Sequence, residues 1–218
     1  MQSAYFGMAA TPGRGPWSQR AKDRAGAAVV DALLRAGDVL LDIGARDVSG
    51  VLAAAARVGP LGHVHVFEAP EAVAQEAADE IARLGLAQVT LHELALSQAN
   101  GQTQRFIAPL VGERPFGVRI DLAQAEAGVL SSLAAFERLR FVVAASCGDA
   151  RALFEPFSLA GWTLLGIQRS ALRCRVERLD ETALRQPPTA RDVVVVRLPA
   201  AALPQRLHPQ QLASLLGD

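Results

Sequence analysis

The chain has 218 residues, half of them hydrophobic and a fifth charged, with a formal net charge of zero. That length buries a substantial core without staples, and that composition excludes a disordered chain. Zero net charge offers no electrostatic case for nucleic acid or an anionic membrane, and no apolar run approaches the roughly 18 to 20 residues that span a bilayer.

Residues 1–16 end in Thr11-Pro12-Gly13-Arg14-Gly15-Pro16, which reads as a flexible N-terminal segment of a single domain over residues 1–218. Trp17 to Arg35 reads as a helix with Val29, Val30, Leu33 and Leu34 on one apolar face, stopped by Gly37. Val39-Leu40-Leu41 follows, too continuously apolar for a strand with a solvent-exposed face, and it ends at Asp42 before the turn Gly44-Ala45. A helix from about Val51 to Val58, the turn Gly59-Pro60-Leu61-Gly62 and an apolar strand His63 to Phe67 ending in Glu68 complete one crossover.

Glu71 to Leu84 predicts the next helix and 88–93 the third strand. Residues 102–107 read as an extra strand or extended connection after Asn100-Gly101. Strands are expected at 118–122, 141–145, 163–167 and 193–198, with helices at 124–138, around 150–160 and from about Pro209. Alternation of strand and helix predicts an α/β, doubly wound, mostly parallel sheet. The close succession of 163–167 and 193–198 without a long helix between them predicts an antiparallel edge.

The unit from Asp42 to Glu68 carries the chemistry. A glycine turn directly after a first strand lies close to a nucleoside ligand, and an acidic residue after the second strand is placed to hold ribose hydroxyls. The series G-x-G-x-x-G is absent from Asp42-Ile43-Gly44-Ala45-Arg46-Asp47, which argues against a nicotinamide cofactor.

Three segments carry a resemblance. Arg35-Ala36-Gly37-Asp38-Val39-Leu40-Leu41-Asp42-Ile43-Gly44-Ala45, Val58-Gly59-Pro60-Leu61-Gly62-His63-Val64-His65-Val66-Phe67-Glu68 and Ile120-Asp121-Leu122-Ala123-Gln124-Ala125-Glu126 resemble blocks of the FkbM-like family of S-adenosylmethionine-dependent methyltransferases. Leu94-Ala95-Leu96-Ser97 looks like that family's loop after the third strand, and the likeness runs over about residues 30–170. The resemblance implies a Rossmann-like class I methyltransferase fold, S-adenosylmethionine as cofactor and methyl transfer to an oxygen of a small-molecule or saccharide acceptor. It implies Glu68 on the ribose, Asp42, Gly44 and Ala45 at the methionine end, Ala95 near the adenine and Asp121 nearest the reacting methyl.

The chain departs from that pattern at Arg46-Asp47-Val48, where the family usually has Asn-x-Gly, at Ala123-Gln124 in place of Glu-Gly, and at Arg119 in place of Lys. A β-branched Val48 in place of a glycine is expected to push the loop from the cofactor or to fill part of its site. Two functions therefore stand side by side: an O-methyltransferase, and a methyltransferase-fold protein that has lost catalysis and serves as a binding or regulatory subunit.

The remaining candidates read as structural. His63 and His65 share a strand face with apolar neighbours, His92 is the histidine nearest the expected cleft, and Trp17 and Trp162 are expected in packing. Asp121 reads equally as an N-cap. Arg169, Arg173, Arg175 and Arg178 form a basic run that reads as a solvated face. Cys147 and Cys174 lack metal or redox spacing, and the N-terminus lacks a signal pattern, so reduced thiols and a cytoplasmic setting are expected. A protein partner or a second copy of the chain is left open.

Overall fold

The structure, a computed structural model, describes residues 16–93, 96, 102–122, 127–147, 154–157, 160–169, 174–179, 191–198 and 200–216. In chain order these form α1 (Pro16–Leu33), β1 (Val39–Ile43), α2 (Val48–Val58), β2 (His63–Phe67), α3 (Glu71–Leu84), β3 (Val89–Leu91), α4 (Thr103–Val111) and β4 (Phe116–Asp121). They continue with α5 (Ala127–Leu133), β5 (Leu139–Cys147), β6 (Thr163–Arg169), β7 (Cys174–Arg178), β8 (Arg191–Val196), β9 (Arg206–Leu207) and α6 (Pro209–Leu215).

The strands make one sheet in the order β3-β2-β1-β4-β5-β8-β6-β7-β9. Pairing is parallel from β3 through β5, and β8 enters antiparallel between β5 and β6. The expected antiparallel pairing of the late strands is present, and the sheet continues beyond it through β7 and β9.

All five residues of β1 are buried, as a strand covered on both faces requires. Leu40, Val64, Val66, Val143 and Val194 meet α1 and α2 on one face, through Val29, Val30, Leu33, Val51 and Val58. Leu41, Ile43, Phe67, Val118 and Ile120 meet α4 and α5 on the other, through Ile107, Val111, Leu130 and Leu133. Far from the strand ends that will matter, Asp38 accepts from Arg35 N at 2.9 Å and pairs with Arg140 at 2.6 Å, tying the start of β1 to β5.

Two expectations need correction. Residues 102–107 are not extended: α4 covers them, because Thr103, Ile107 and Val111 recur every four residues and are all buried. The basic run keeps Arg175 exposed, as a solvated face requires, but it passes through a strand that was not expected. Arg175 and Arg178 lie in β7, whose Val176 is fully buried against the first core, while Arg173 lies outside the described residues. With a single buried residue in five, such a strand has almost no period-two signal to read. Helix α2 also begins at Val48, earlier than expected, and of 150–160 the described part shows one helical turn at 154–157.

Trp162 is buried, meeting Phe157 edge-on, with the Arg197 guanidinium 4.9 Å from its ring centre. His63, His65 and His92, three of the four histidines, pack on the α4 side of the sheet. His63 Nε2 lies 2.9 Å from Thr90 Oγ1 and His65 Nδ1 lies 3.0 Å from His92 Nε2. His92 stacks on Phe67 with ring centres 4.3 Å apart. Burial, helped by the neighbouring imidazoles, lowers the His65 pKa to about 4, and burial also lowers those of His63 and His92.

An unfolded imidazole takes up a proton below about pH 6.5, whereas folded His65 resists one until about pH 4. The unfolded chain therefore binds more protons in that window, so stability falls as pH falls through it, by about 3 kcal/mol in full. Urea denaturation between pH 7 and pH 4 should show this slope, and His65→Leu should flatten it. An unchanged slope in that variant would remove the histidine cluster as its cause.

Candidate ligand cleft at the ends of β1 and β4

Strand order reverses between β1 and β4: β2 and β3 lie on one side, β5 on the other. In open α/β sheets ligands bind outside the carboxyl ends of the strands at such a switch point. A cavity open to solvent lies there. Its floor is Asp42, Arg119, Asp121 and Ala145 from β1, β4 and β5, with Asp192 from β8. The turn from Gly44 to Asp47 closes one side, and Gly26 and Ala27 of α1 add two small residues to the wall.

Asp42 is the lone polar residue in β1 and is 1% exposed. Parallel register sets it beside Arg119 of β4. The guanidinium engages both carboxylate oxygens, Nε to Oδ1 at 2.7 Å and Nη2 to Oδ2. The fork geometry of arginine makes such a two-point contact possible, which lysine cannot reproduce. Gly50, in the first turn of α2, leaves the room: a Cβ there would fall 2.5 Å from Arg119 Nη1.

The turn itself depends on Gly44, whose φ of 76° suits glycine and whose N–H donates to Phe67 O at 2.8 Å. That bond brings the turn against the end of β2, one residue before Glu68. Among the described residues Glu68 is the single non-glycine residue with positive φ, at 53°. A strained backbone of this kind costs about 1–3 kcal/mol and clusters at functional sites. Glu68 is half-buried, at the strand end where the sequence placed it, beside the cavity rather than in its lining.

Of the two expectations for Val48, filling the site is not met: it is 6% exposed, sits at the first position of α2 and does not line the cavity. Asp47 is the N-cap of α2, with its carboxylate accepting from Gly50 N at 2.8 Å and from Ser49 Oγ at 2.5 Å. The helix thus uses Asp47 to satisfy its own orphan donors. Arg46 reaches across to Asp121, Nε to Oδ2 at 2.6 Å, with side chains 24% and 6% exposed.

The site therefore unites Asp42, Gly44, Ala45 and Asp121, with Glu68 beside them, while Ala95, Ala123 and Gln124 lie outside the described residues. His92 is not part of it, since it stacks on Phe67 on the opposite side of the sheet. Sequence reasoning missed Arg46 as the partner of Asp121, Gly50 as the space for Arg119, and Asp192. Asp192 had a signal: it shares the alternation of Val194 and Val196, which face the first core. Among the described residues no group of histidines, cysteines and carboxylates is arranged to hold a metal, and no helix is long and apolar enough to cross a membrane.

Comparison with solved structures places the fold. A protein named as an rRNA methylase from Clostridium thermocellum matches with a TM-score of 0.50 at 15% identity, over 80% of this chain and 94% of that one. A protein named as a methyltransferase from Streptococcus mutans, in complex with SAH, matches with a TM-score of 0.50 at 9% identity, over 81% and 98%. Fibrillarin of Aeropyrum pernix, with natively bound S-adenosyl-L-methionine, gives 0.48 at 16%, over 79% and 74%. At these identities the likeness to the first two shows the fold alone, a Rossmann-like class I methyltransferase fold. No family model matches the chain, and no curated protein does.

Two substitutions test how the floor is held. Arg119→Ala leaves Asp42 buried without its two-point partner and should lower unfolding free energy by about 3–5 kcal/mol. Gly50→Ala gains up to about 1 kcal/mol in helix propensity but displaces a pinned guanidinium, for a net loss of about 1–3 kcal/mol. Chemical denaturation reads both, and stabilisation by Gly50→Ala would contradict the packing argument.

Proposed function

We propose that the chain is an S-adenosylmethionine-dependent methyltransferase acting on an oxygen of a small molecule or saccharide. The observation that carries this reading is the cavity at the β1/β4 switch point, with a glycine turn on one side and the strained Glu68 next to that turn. Rossmann-type sheets bind nucleoside ligands in this crevice, and the residue chemistry fits one. The carboxylate of Glu68 suits a pair of ribose hydroxyls, while the Gly44 turn allows close backbone approach. The donor carries the electrophilic methyl when bound.

The chain's own residues supply alignment and charge. Asp42 and Arg119 form a rigid floor, so the turn above them is held at a fixed height. Asp121, at the end of β4, is the carboxylate placed to take a proton from an acceptor hydroxyl. Gly26, Ala27 and Ala145 leave open space on its side of the cleft.

A second reading is a binding or regulatory subunit on the same fold, favoured by one observation: both candidate carboxylates, Asp42 and Asp121, are engaged by arginines of this chain. The acceptor class rests on the resemblance and the neutral net charge. The expectation against nucleic acid lacks support from the comparisons, since one similar protein is named as an rRNA methylase.

Titration calorimetry with S-adenosylmethionine and S-adenosylhomocysteine tests the reading. Both should bind, and Glu68→Ala should weaken each by at least about tenfold, the worth of one charge-assisted contact. The absence of heat at millimolar ligand would end both the catalytic reading and any cofactor-bound scaffold.

A further inference from the structure

We propose that Arg46 is a two-position residue. It clasps Asp121 across the cavity, and it passes to the carboxylate at the amino-acid end of an S-adenosyl ligand when that ligand binds, which releases the Asp121 Oδ2 that it holds. The inference rests on the S-adenosyl reading above and adds a cofactor-binding residue and an order of binding to it.

Four observations support the exchange. First, the clasp is long-range: Arg46 and Asp121 are 75 residues apart and meet at 2.6 Å. Second, its halves differ in anchorage. Asp121 ends a central strand and its side chain is 6% exposed, whereas Arg46 lies outside helix and strand, in the turn before α2, at 24%. The guanidinium is the half that has room to move.

Third, that turn is the part of the cavity wall where the amino-acid end of the ligand is expected, beside Gly44 and Ala45. Its other charged residue is committed elsewhere, because Asp47 caps α2. Fourth, the exchange replaces one carboxylate partner by another. A guanidinium loses no hydrogen-bond class and no counter-charge in such a swap, so the two positions lie close in energy and a ligand can shift the balance. While the clasp is closed, Asp121 Oδ2 holds a guanidinium N–H rather than facing an acceptor. Donor binding therefore precedes productive acceptor binding.

The test is calorimetry on the full chain with two probes, S-adenosylhomocysteine and 5′-methylthioadenosine. The second keeps the nucleoside and thioether but lacks the amino-acid end. Asp121→Asn removes the competing partner of Arg46 and should tighten S-adenosylhomocysteine about tenfold; Arg46→Gln should weaken it about tenfold. The double variant should match Arg46→Gln alone, since without the guanidinium there is nothing to release. Binding of 5′-methylthioadenosine should be unchanged in all of them, which also certifies that the variants fold.

Weaker or unchanged S-adenosylhomocysteine binding by Asp121→Asn would overturn the exchange, as would parallel changes for both probes. If the nucleoside probe binds and S-adenosylhomocysteine ignores both substitutions, the clasp fails while the S-adenosyl reading stands. If neither probe binds the unmodified chain, the reading itself fails and takes the clasp with it.

Discussion

The buried pair of Asp42 and Arg119 is the constraint on which the rest of the cleft depends. A carboxylate in the middle of a fully buried strand is very costly unless charged and hydrogen-bonded partners answer it. Register between β1 and β4 supplies the partner, and the glycine in the first turn of α2 supplies its space. The guanidinium then lies at a helix N-terminus, where a positive charge is unfavourable on its own. The carboxylate beneath offsets that cost. Three elements, two strands and one helix, are thus held by a single contact, and the glycine turn is suspended from two of them.

Seen this way, the residues that differ from the resembled pattern have structural work. Asp47 closes the start of α2, Val48 enters the core, and Arg46 bridges to the opposite strand. Loss of a glycine from the turn has therefore not opened a hole or blocked the cleft. The helix begins earlier, and its cap stands where a flexible loop would otherwise run.

Much of this architecture was legible because continuous apolar runs need no knowledge of neighbours. Val39 to Leu41 and Phe141 to Ala145 announce buried strands by composition alone, and the distance from Asp42 to Glu68 measures one crossover. The two misread segments fail for opposite reasons. Residues 103–111 carry a helical period interrupted by Pro109, which hides it from a short window. Residues 174–178 bury one side chain and leave nothing to alternate. The ion pairs of the site were beyond reach, since they join residues 75 and 77 apart and depend on which strands lie side by side. Glu68 was found by position, but its left-handed backbone is not written in its own neighbourhood.

The two margins of the sheet have a consequence for assembly. Among the described residues it stops on one side at β3, three residues long, and on the other at β9, only two. Strands this short provide few unpaired N–H and C=O groups to template another strand. Those two margins are accordingly poor sites for lateral fusion of copies into a continuous ribbon. Any stable self-association is thereby directed to side chains on the helical layers, where specificity is set by shape and charge instead of by the generic backbone ladder.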